Sequence, residues 1–225
     1  MFKIKITTFS FILISITFAK DLKQAEVTEH LSTLTIEYIN KIKKNGDSKT
    51  YHNEKQTNAY LERGMARVVL GKFNFAMNDF NLAIMRNPQN FHANYERGKL
   101  FIILEKFDEA LTDLNTAIEN GVSSPDIFIY RSTAYIQLYK YKLAFDDIQQ
   151  FERLNLDLQH PLMSQLLFNK GMLHYEQFEY NKSLKYLNNL IAFDESFHGA
   201  YLLRGNIHRI QGRLYLAMDD FNSYI

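Results

Sequence analysis

The fold is decided by residues 57–90, which read TNAYLERGMARVVLGKFNFAMNDFNLAIMRNPQN. In this stretch a basic residue precedes a glycine, and the same dipeptide returns along the chain. The copies are Arg63-Gly64, Arg97-Gly98, Lys170-Gly171 and Arg204-Gly205, with Arg131-Ser132 as a fifth in which serine replaces glycine. They are spaced by 34, 34, 39 and 34 residues, and the long interval contains five extra residues, Gln159 to Met163. The chain is therefore a repeat array.

The repeat defines five units: 57–90, 91–124, 125–158, 164–197 and an incomplete 198–225. Three further positions, counted from the small residue of each unit, carry the same type of side chain in all five units. Large apolar residues stand nine positions on (Phe73, Phe107, Tyr141, Tyr180, Leu214), small ones twelve on (Ala76, Ala110, Ala144, Ser183, Ala217), and large apolar ones sixteen on (Phe80, Leu114, Ile148, Leu187, Phe221). These offsets suit two packed helices per unit. Because one pair cannot bury its apolar face alone, we predict an all-α, right-handed solenoid of stacked helix pairs.

The first unit resembles a known repeat. It matches the positions of the tetratricopeptide repeat (TPR) family at Tyr60, Gly64, Gly71, Phe73, Ala76, Phe80, Ala83 and Pro88. The resemblance extends over residues 57–225. Later units depart from it at the closing proline, replaced by Val122, Leu156 and Glu195, and at the last small position, replaced by Phe151, Leu190 and Tyr224. It implies a helix-turn-helix unit and a protein that binds other proteins or peptides on a concave surface.

Family geometry places three columns of each first helix on that concave surface. The resemblance therefore implies a peptide-binding groove lined by Leu61, Met65, Val68, Tyr95, Lys99, Ile102, Ile129, Thr133, Phe168, Met172, Tyr175, Leu202 and Asn206. A contiguous apolar surface of this kind usually marks an interaction site. We expect Phe168 and Tyr95 to be the anchors, because aromatic side chains dominate binding hot spots. The alternative is that tighter packing or an N-terminal helix buries these side chains.

The basic residue before each small position has a partner within its own unit. Aspartate stands sixteen residues after the arginine in four units, which predicts the structural ion pairs Arg63–Asp79, Arg97–Asp113, Arg131–Asp147 and Arg204–Asp220. The remaining unit has Lys170 and, at the aspartate position, Tyr186. Arginine suits such pairing because its planar fork matches a carboxylate. We therefore favour ion pairs over a track of cations for phosphates.

The N-terminal 56 residues lie outside the repeat. Two lysines, an apolar run and Ala19 before a charged segment have the order of a secretory signal peptide, residues 1–19. We predict cleavage near Ala19 and a periplasmic or secreted protein without a transmembrane span in the mature chain. Residues 20–56 are predicted to form a capping helix and a polar loop ending at Gln56. The face expected to cover the first repeat is Val27, Leu31, Leu34, Tyr38 and Ile42.

Composition argues against catalysis and nucleic-acid binding. The formal net charge is only +1, so no global field favours nucleic acid. There is no cysteine, and the seven histidines have no zinc-site spacing, so neither a metal nor another cofactor is expected. No phosphate loop or nucleophile elbow occurs. We therefore predict that the chain is not an enzyme.

We predict a protein-interaction scaffold whose partner presents apolar side chains. Some TPR proteins grip a C-terminal carboxylate with a Lys/Asn/Arg clamp, but the clamp positions here hold Leu61, Met65, Glu96, Asp126 and Tyr130. Met218, Phe221, Tyr224 and Ile225 form an apolar face with no polar capping helix after it. We expect either further sequence or self-association through this C-terminal helix. The alternative function is a sensory or regulatory segment of a larger enzyme or signalling protein.

Overall fold

The computed structural model describes residues 18–43, 49–154 and 162–224. Every regular element in these ranges is a helix. There are eleven: α1 Phe18–Lys43, α2 Lys49–Val69, α3 Phe73–Arg86, α4 Phe91–Ile103, α5 Phe107–Glu119, α6 Asp126–Gln137, α7 Tyr141–Arg153, α8 Met163–Glu176, α9 Tyr180–Phe193, α10 His198–Ile210 and α11 Leu214–Tyr224. Residues 1–17 lie outside the described part, so the signal peptide stays a prediction.

Each repeat is a hairpin of two helices joined by the same turn. Seven residues after the small position, the backbone is left-handed in all five repeats, at Gly71, Glu105, Tyr139, Phe178 and Gly212. The next N–H donates to the carbonyl five residues earlier, as Lys72 does to Arg67 at 2.8 Å and Lys106 to Phe101 at 2.9 Å. This pattern is a Schellman motif, which satisfies the last carbonyls of the first helix. The turn is thus set by backbone geometry more than by glycine.

The small residue in each first helix allows its hairpin to close. A methyl group added at Gly64 would lie 2.5 Å from the ring of Phe80, and one at Gly205 would lie 2.7 Å from that of Phe221. At Gly98 the nearest atom is 3.0 Å away, on Leu114. These positions therefore need glycine because the facing side chain occupies the space of a Cβ.

The hairpins belong to two compact units that divide between Ser123 and Ser124. In the first, Ala76 and Phe80 of α3 form a cluster with Leu100 of α4. In the second, one large cluster runs from α6 to α10 and includes Phe168 and Leu187. Each unit therefore has its own apolar core.

The predicted polar loop over residues 46–56 is wrong for its larger part. Residues 49–56 are the first two turns of α2, while 44–48 lie outside the described residues. Gln56 and Thr57 are fully buried. Gln56 Nε2 donates to Asn40 Oδ1 at 2.8 Å, and Thr57 Oγ1 donates to the carbonyl of Asn53 at 2.8 Å. Polar side chains that satisfy one another let this segment pack as a helix against α1.

The face of α1 predicted to cover the first repeat is also wrong. The contact with α2 is made by the side of α1 that carries Ala25, Ser32, Ile36 and Ile39, all buried. Val27, Leu31, Leu34 and Tyr38 are exposed instead, and the side chain of Ile42 is outside the described set. Alanine and serine allow a closer helix approach than leucine, and Ser32 reaches Glu62 at 3.3 Å.

The outer face of α11 differs from the prediction as well. Phe221 lies four residues after Ala217, so both side chains face α10, and the Phe221 ring packs on Gly205. Tyr224 is half-buried, and Ile225 is not described. The exposed apolar side chains of α11 are Leu214, Tyr215, Leu216 and Met218.

Candidate functional site

Four arginine–aspartate pairs join the two helices of a hairpin. In each, two guanidinium nitrogens donate to the carboxylate of the aspartate on the second helix. The closest N–O distances are 2.7 Å for Arg63–Asp79, 2.7 Å for Arg97–Asp113, 2.6 Å for Arg131–Asp147 and 2.6 Å for Arg204–Asp220. All four aspartates are buried. This bidentate, partly desolvated geometry gives these pairs a structural role.

Two of these arginines also reach back to the preceding hairpin. Arg97 Nη1 donates to Asn81 Oδ1 at 2.7 Å, and Arg204 Nη1 donates to Asn188 Oδ1 at 2.8 Å. Each asparagine stands sixteen residues before its arginine. This bond is not among the predictions from sequence, although asparagine recurs at that position in the repeats. Since the guanidinium groups are used within the chain, they do not form a phosphate-binding track.

The fourth repeat replaces the ion pair with an aromatic contact. Lys170 Nζ lies 4.9 Å from the centroid of the Tyr186 ring, which stands where the other repeats have aspartate. Lys170 also pairs with Glu152. The His174 ring lies parallel to the Tyr186 ring, with the two centroids 5.4 Å apart. A cation–π contact thus stabilises the same hairpin.

The predicted apolar groove is largely interior. Seven of its thirteen residues are buried: Tyr95, Ile102, Ile129, Thr133, Phe168, Met172 and Asn206. Phe168, chosen as an anchor, is 4% exposed, and its ring centroid lies 5.1 Å from that of Phe197. Tyr95, the second anchor, is also buried, with Lys99 Nζ 5.0 Å from its ring centroid. These anchors are therefore corrected to packing residues.

Five more groove residues are half-buried: Leu61, Val68, Lys99, Tyr175 and Leu202. Leu61 and Val68 pack against the core of the first unit, and Lys99 pairs with Glu96 at 2.9 Å. Met65 alone of the thirteen is exposed, at 36%. The predicted groove positions are buried because side chains from both helices of a hairpin and from the next helix pack against them.

Met65 lies in a cleft between α1 and α2, here called the α1–α2 cleft. Its volume is about 330 Å³. Ala25, Ala66, Met65 and Val69 give it an apolar floor, and Asp21, Gln24, Thr28 and Glu62 give it a polar rim. The cleft is large enough for one or two side chains of a ligand. It is the place where a predicted groove residue meets accessible space.

Charged hydrogen bonds hold the two walls of this cleft together. Glu29 on α1 accepts from Lys72 Nζ at 2.6 Å and from Arg67 Nε at 2.9 Å. The hydrogen bond from Lys72, followed by that from Arg67, holds the pKa of Glu29 below its ordinary value despite partial burial. Arg67 also donates to Asp79 at 2.7 Å, which links α1 to the ion pair of the first repeat.

Within residues 18–43, 49–154 and 162–224, no group of three or more histidine, aspartate or glutamate side chains could hold a metal ion. Burial lowers the pKa of His208, and its Nδ1 is buried without a hydrogen-bond partner. In the same part of the chain, no helix has the length and apolar character to span a membrane.

Solved structures decide the fold. A tetratricopeptide repeat protein from Parabacteroides merdae superimposes with a TM-score of 0.66 at 18% identity, covering 91% of this chain and 77% of that one. TTC0263, a TPR protein of Thermus thermophilus, gives 0.60 at 20% identity, with 75% and 89% covered. The chain has the TPR fold.

The predicted resemblance to TPR proteins and the all-α class are thereby confirmed. A third TPR structure, YrrB, has an unusual peptide-binding site and matches with a TM-score of 0.51 at 18% identity, over 74% of this chain and 84% of that one. No protein-family model matches the sequence, and no curated protein does. At these identities the TPR fold is shared, while the function has to be argued from the site.

Proposed function

We propose that this chain is a non-enzymatic scaffold that binds a segment of another protein in the α1–α2 cleft. The observation that carries the proposal is an open cleft with a polar rim and an apolar floor, which includes the exposed Met65. Apolar floors supply affinity and polar rims supply orientation. The peptide-binding site of the TPR protein YrrB supports this use of the fold.

The ligand presents apolar side chains to this cleft. Burying one leucine or phenylalanine contributes roughly 1.5–3 kcal/mol, whereas association costs roughly 4–15 kcal/mol in lost freedom. One filled cleft therefore gives weak binding, and a tight complex needs further contacts. We propose no nucleic-acid partner, since the formal net charge is +1 and Arg97 and Arg204 bind acceptors within the chain.

The binding proposal is tested with a displayed library of random peptides. Peptides selected on the wild-type chain should carry a large apolar residue. Met65→Asp should lower the affinity of the chain for these peptides at least about tenfold, equivalent to about 1.4 kcal/mol. Tyr215→Asp, on the exposed face of α11, is the control and should leave affinity unchanged. Equal binding by the Met65→Asp variant, with unchanged circular dichroism, would place the binding surface elsewhere.

We also propose that the chain is exported, on the order of charges and apolar residues in residues 1–19. Cleavage near Ala19 would remove only the first two residues of α1, which begins at Phe18. Ala25 and Glu29, which contact the first repeat, lie beyond the cleavage point, so the mature protein would retain these contacts. Intact-mass analysis of the native protein should show a start near Lys20; recovery of the Met1 form would overturn export.

A further inference from the structure

The outward face of α1 carries a stripe of large apolar side chains, here called the outer stripe: Val27, Leu31, Leu34 and Tyr38. Their exposed fractions are 45%, 57%, 47% and 66%. The opposite side of the helix already packs on α2 through Ile36 and Ile39, which are 5% and 2% exposed. The helix thus has two apolar faces, and only one of them has a partner within the described residues. A contiguous exposed apolar patch of this kind marks an interaction surface.

The spacing of the outer stripe selects another helix as its partner. Successive members are four, three and four residues apart, the a/d spacing of a two-helix coiled coil. At 100° per residue, all four side chains fall within an arc of about 60°. A helix that lies on a membrane needs a wider apolar face with basic flanks, whereas this stripe has exposed Glu26 and Glu37 on one side.

We propose that a second copy of this chain covers the outer stripe, with the two α1 helices antiparallel. If Leu31 of one copy faces Leu34 of the other, Val27 faces Tyr38, so all four residues find apolar partners in both directions. The smallest member of the stripe, Val27, thereby faces the largest, Tyr38, and the two leucines face each other. The outer stripe of one copy is therefore complementary to the outer stripe of a second copy that runs in the opposite direction.

The charges beside the stripe favour the same arrangement. Exposed residues along one flank read Lys23, Glu26, His30, Glu37 and Lys41. In the antiparallel pair this flank lies against the same flank of the second copy, which runs in the opposite direction. Lys41 then lies near Glu26 of the second copy, and Glu37 lies near His30 of the second copy. A parallel pair would set this flank against Thr28 and Thr35, which carry no charge. Opposite charges beside an a/d seam fix the orientation of the helices.

Sedimentation of the full chain over a concentration series tests the pairing. The wild-type chain should form dimers, and Leu31→Lys should raise the dimer dissociation constant at least tenfold with unchanged circular dichroism. Met218→Lys is the matched control, because Met218 is 61% exposed on α11, the competing surface for self-association. A wild-type chain that stays monomeric at every concentration overturns the proposal. So does a dimer that Met218→Lys dissolves and Leu31→Lys leaves intact.

Engineered cysteines test the orientation without background, since the chain has none of its own. Val27→Cys mixed with Tyr38→Cys should give a disulfide-linked heterodimer on mild oxidation, and neither variant alone should cross-link. Cross-linking of Val27→Cys with itself would show a parallel pair, and no cross-link in any mixture would show that α1 is not the interface. These outcomes do not depend on peptide binding in the α1–α2 cleft.

Discussion

Single residues carry strain at the turn between the two helices of a repeat. Glu105, Tyr139 and Phe178 adopt the left-handed backbone that Gly71 and Gly212 adopt in the first and last repeats. For a residue with a Cβ this conformation costs roughly 1–2 kcal/mol, and the larger folding entropy of glycine offsets about half of that.

We therefore expect Glu105→Gly to raise the free energy of unfolding by about 0.5–1 kcal/mol. Urea denaturation followed by circular dichroism measures the change, and Glu105 is suitable because its side chain is exposed. Gly71→Ala is the reverse control and should lower stability by about 1 kcal/mol. A loss of stability in Glu105→Gly would contradict this account of the turn.

Phe168 illustrates a residue whose role depends on its neighbours. Its ring packs beside Phe197 and Gly199 in the core of the second unit. We expect Phe168→Ala to lower the free energy of unfolding by about 3–5 kcal/mol, measured by urea or heat denaturation. Met65→Ala, at an exposed site, should change it by less than about 1 kcal/mol. A Phe168→Ala variant of normal stability would indicate that Phe168 belongs to a binding surface, as the sequence predicted.

At the scale of a helix, the attachment of α1 depends on pH. The folded pKa of Glu29 lies below its ordinary value of 4.5, so the ionised form stabilises the contact with Lys72 and Arg67. This contribution is fully present above that ordinary value and is lost as the pH falls through the folded pKa.

We expect amide protection in α1 to fall on acidification below about pH 4.5. Hydrogen exchange read at the amides of α1 measures this loosening. Glu29→Gln should remove the pH dependence, whereas Glu26→Gln, at an exposed position of the same helix, should retain it. Protection that stays constant in the wild type through this range would show that Glu29 does not anchor α1.

The sequence predicted the elements better than it predicted their faces. The 34-residue period located the helix pairs, because small and large residues recur wherever two helices touch. In α1, both Val27 and Ile36 are apolar, and periodicity does not tell which of two apolar stripes packs inwards. In α2, the polar residues up to Gln56 favour a loop from sequence, because polarity alone does not reveal a buried partner such as Asn40.

For the whole molecule, exposed apolar surface and a small net charge act together on solubility. Tyr215 and Met218 are 87% and 61% exposed on α11, and the formal net charge is +1. Replacing both with lysine brings the charge from +1 to +3 and removes two of the four exposed apolar side chains of α11. We expect higher solubility in ammonium sulphate precipitation and an unchanged melting temperature.

The control for this prediction is Phe221→Lys, which also adds a charge. Since the Phe221 ring packs on Gly205, this variant should lose stability and so become less soluble. Equal gains in solubility from Phe221→Lys and from the exposed-face variant would mean that charge alone, and not the apolar face, sets this property.

The bonds of Arg97 and Arg204 bear on how such a chain changes length over generations. The 57–90 repeat encodes both parts of this joint, since Arg63 stands at the position of Arg97 and Arg204, and Asn81 accepts from Arg97 of the next repeat as Asn188 accepts from Arg204. A tandem duplication of 102 nucleotides, three for each of the 34 residues in the 57–90 unit, therefore copies a complete connector together with the helices. A newly duplicated repeat would pack against its neighbours without compensating substitutions elsewhere in the gene.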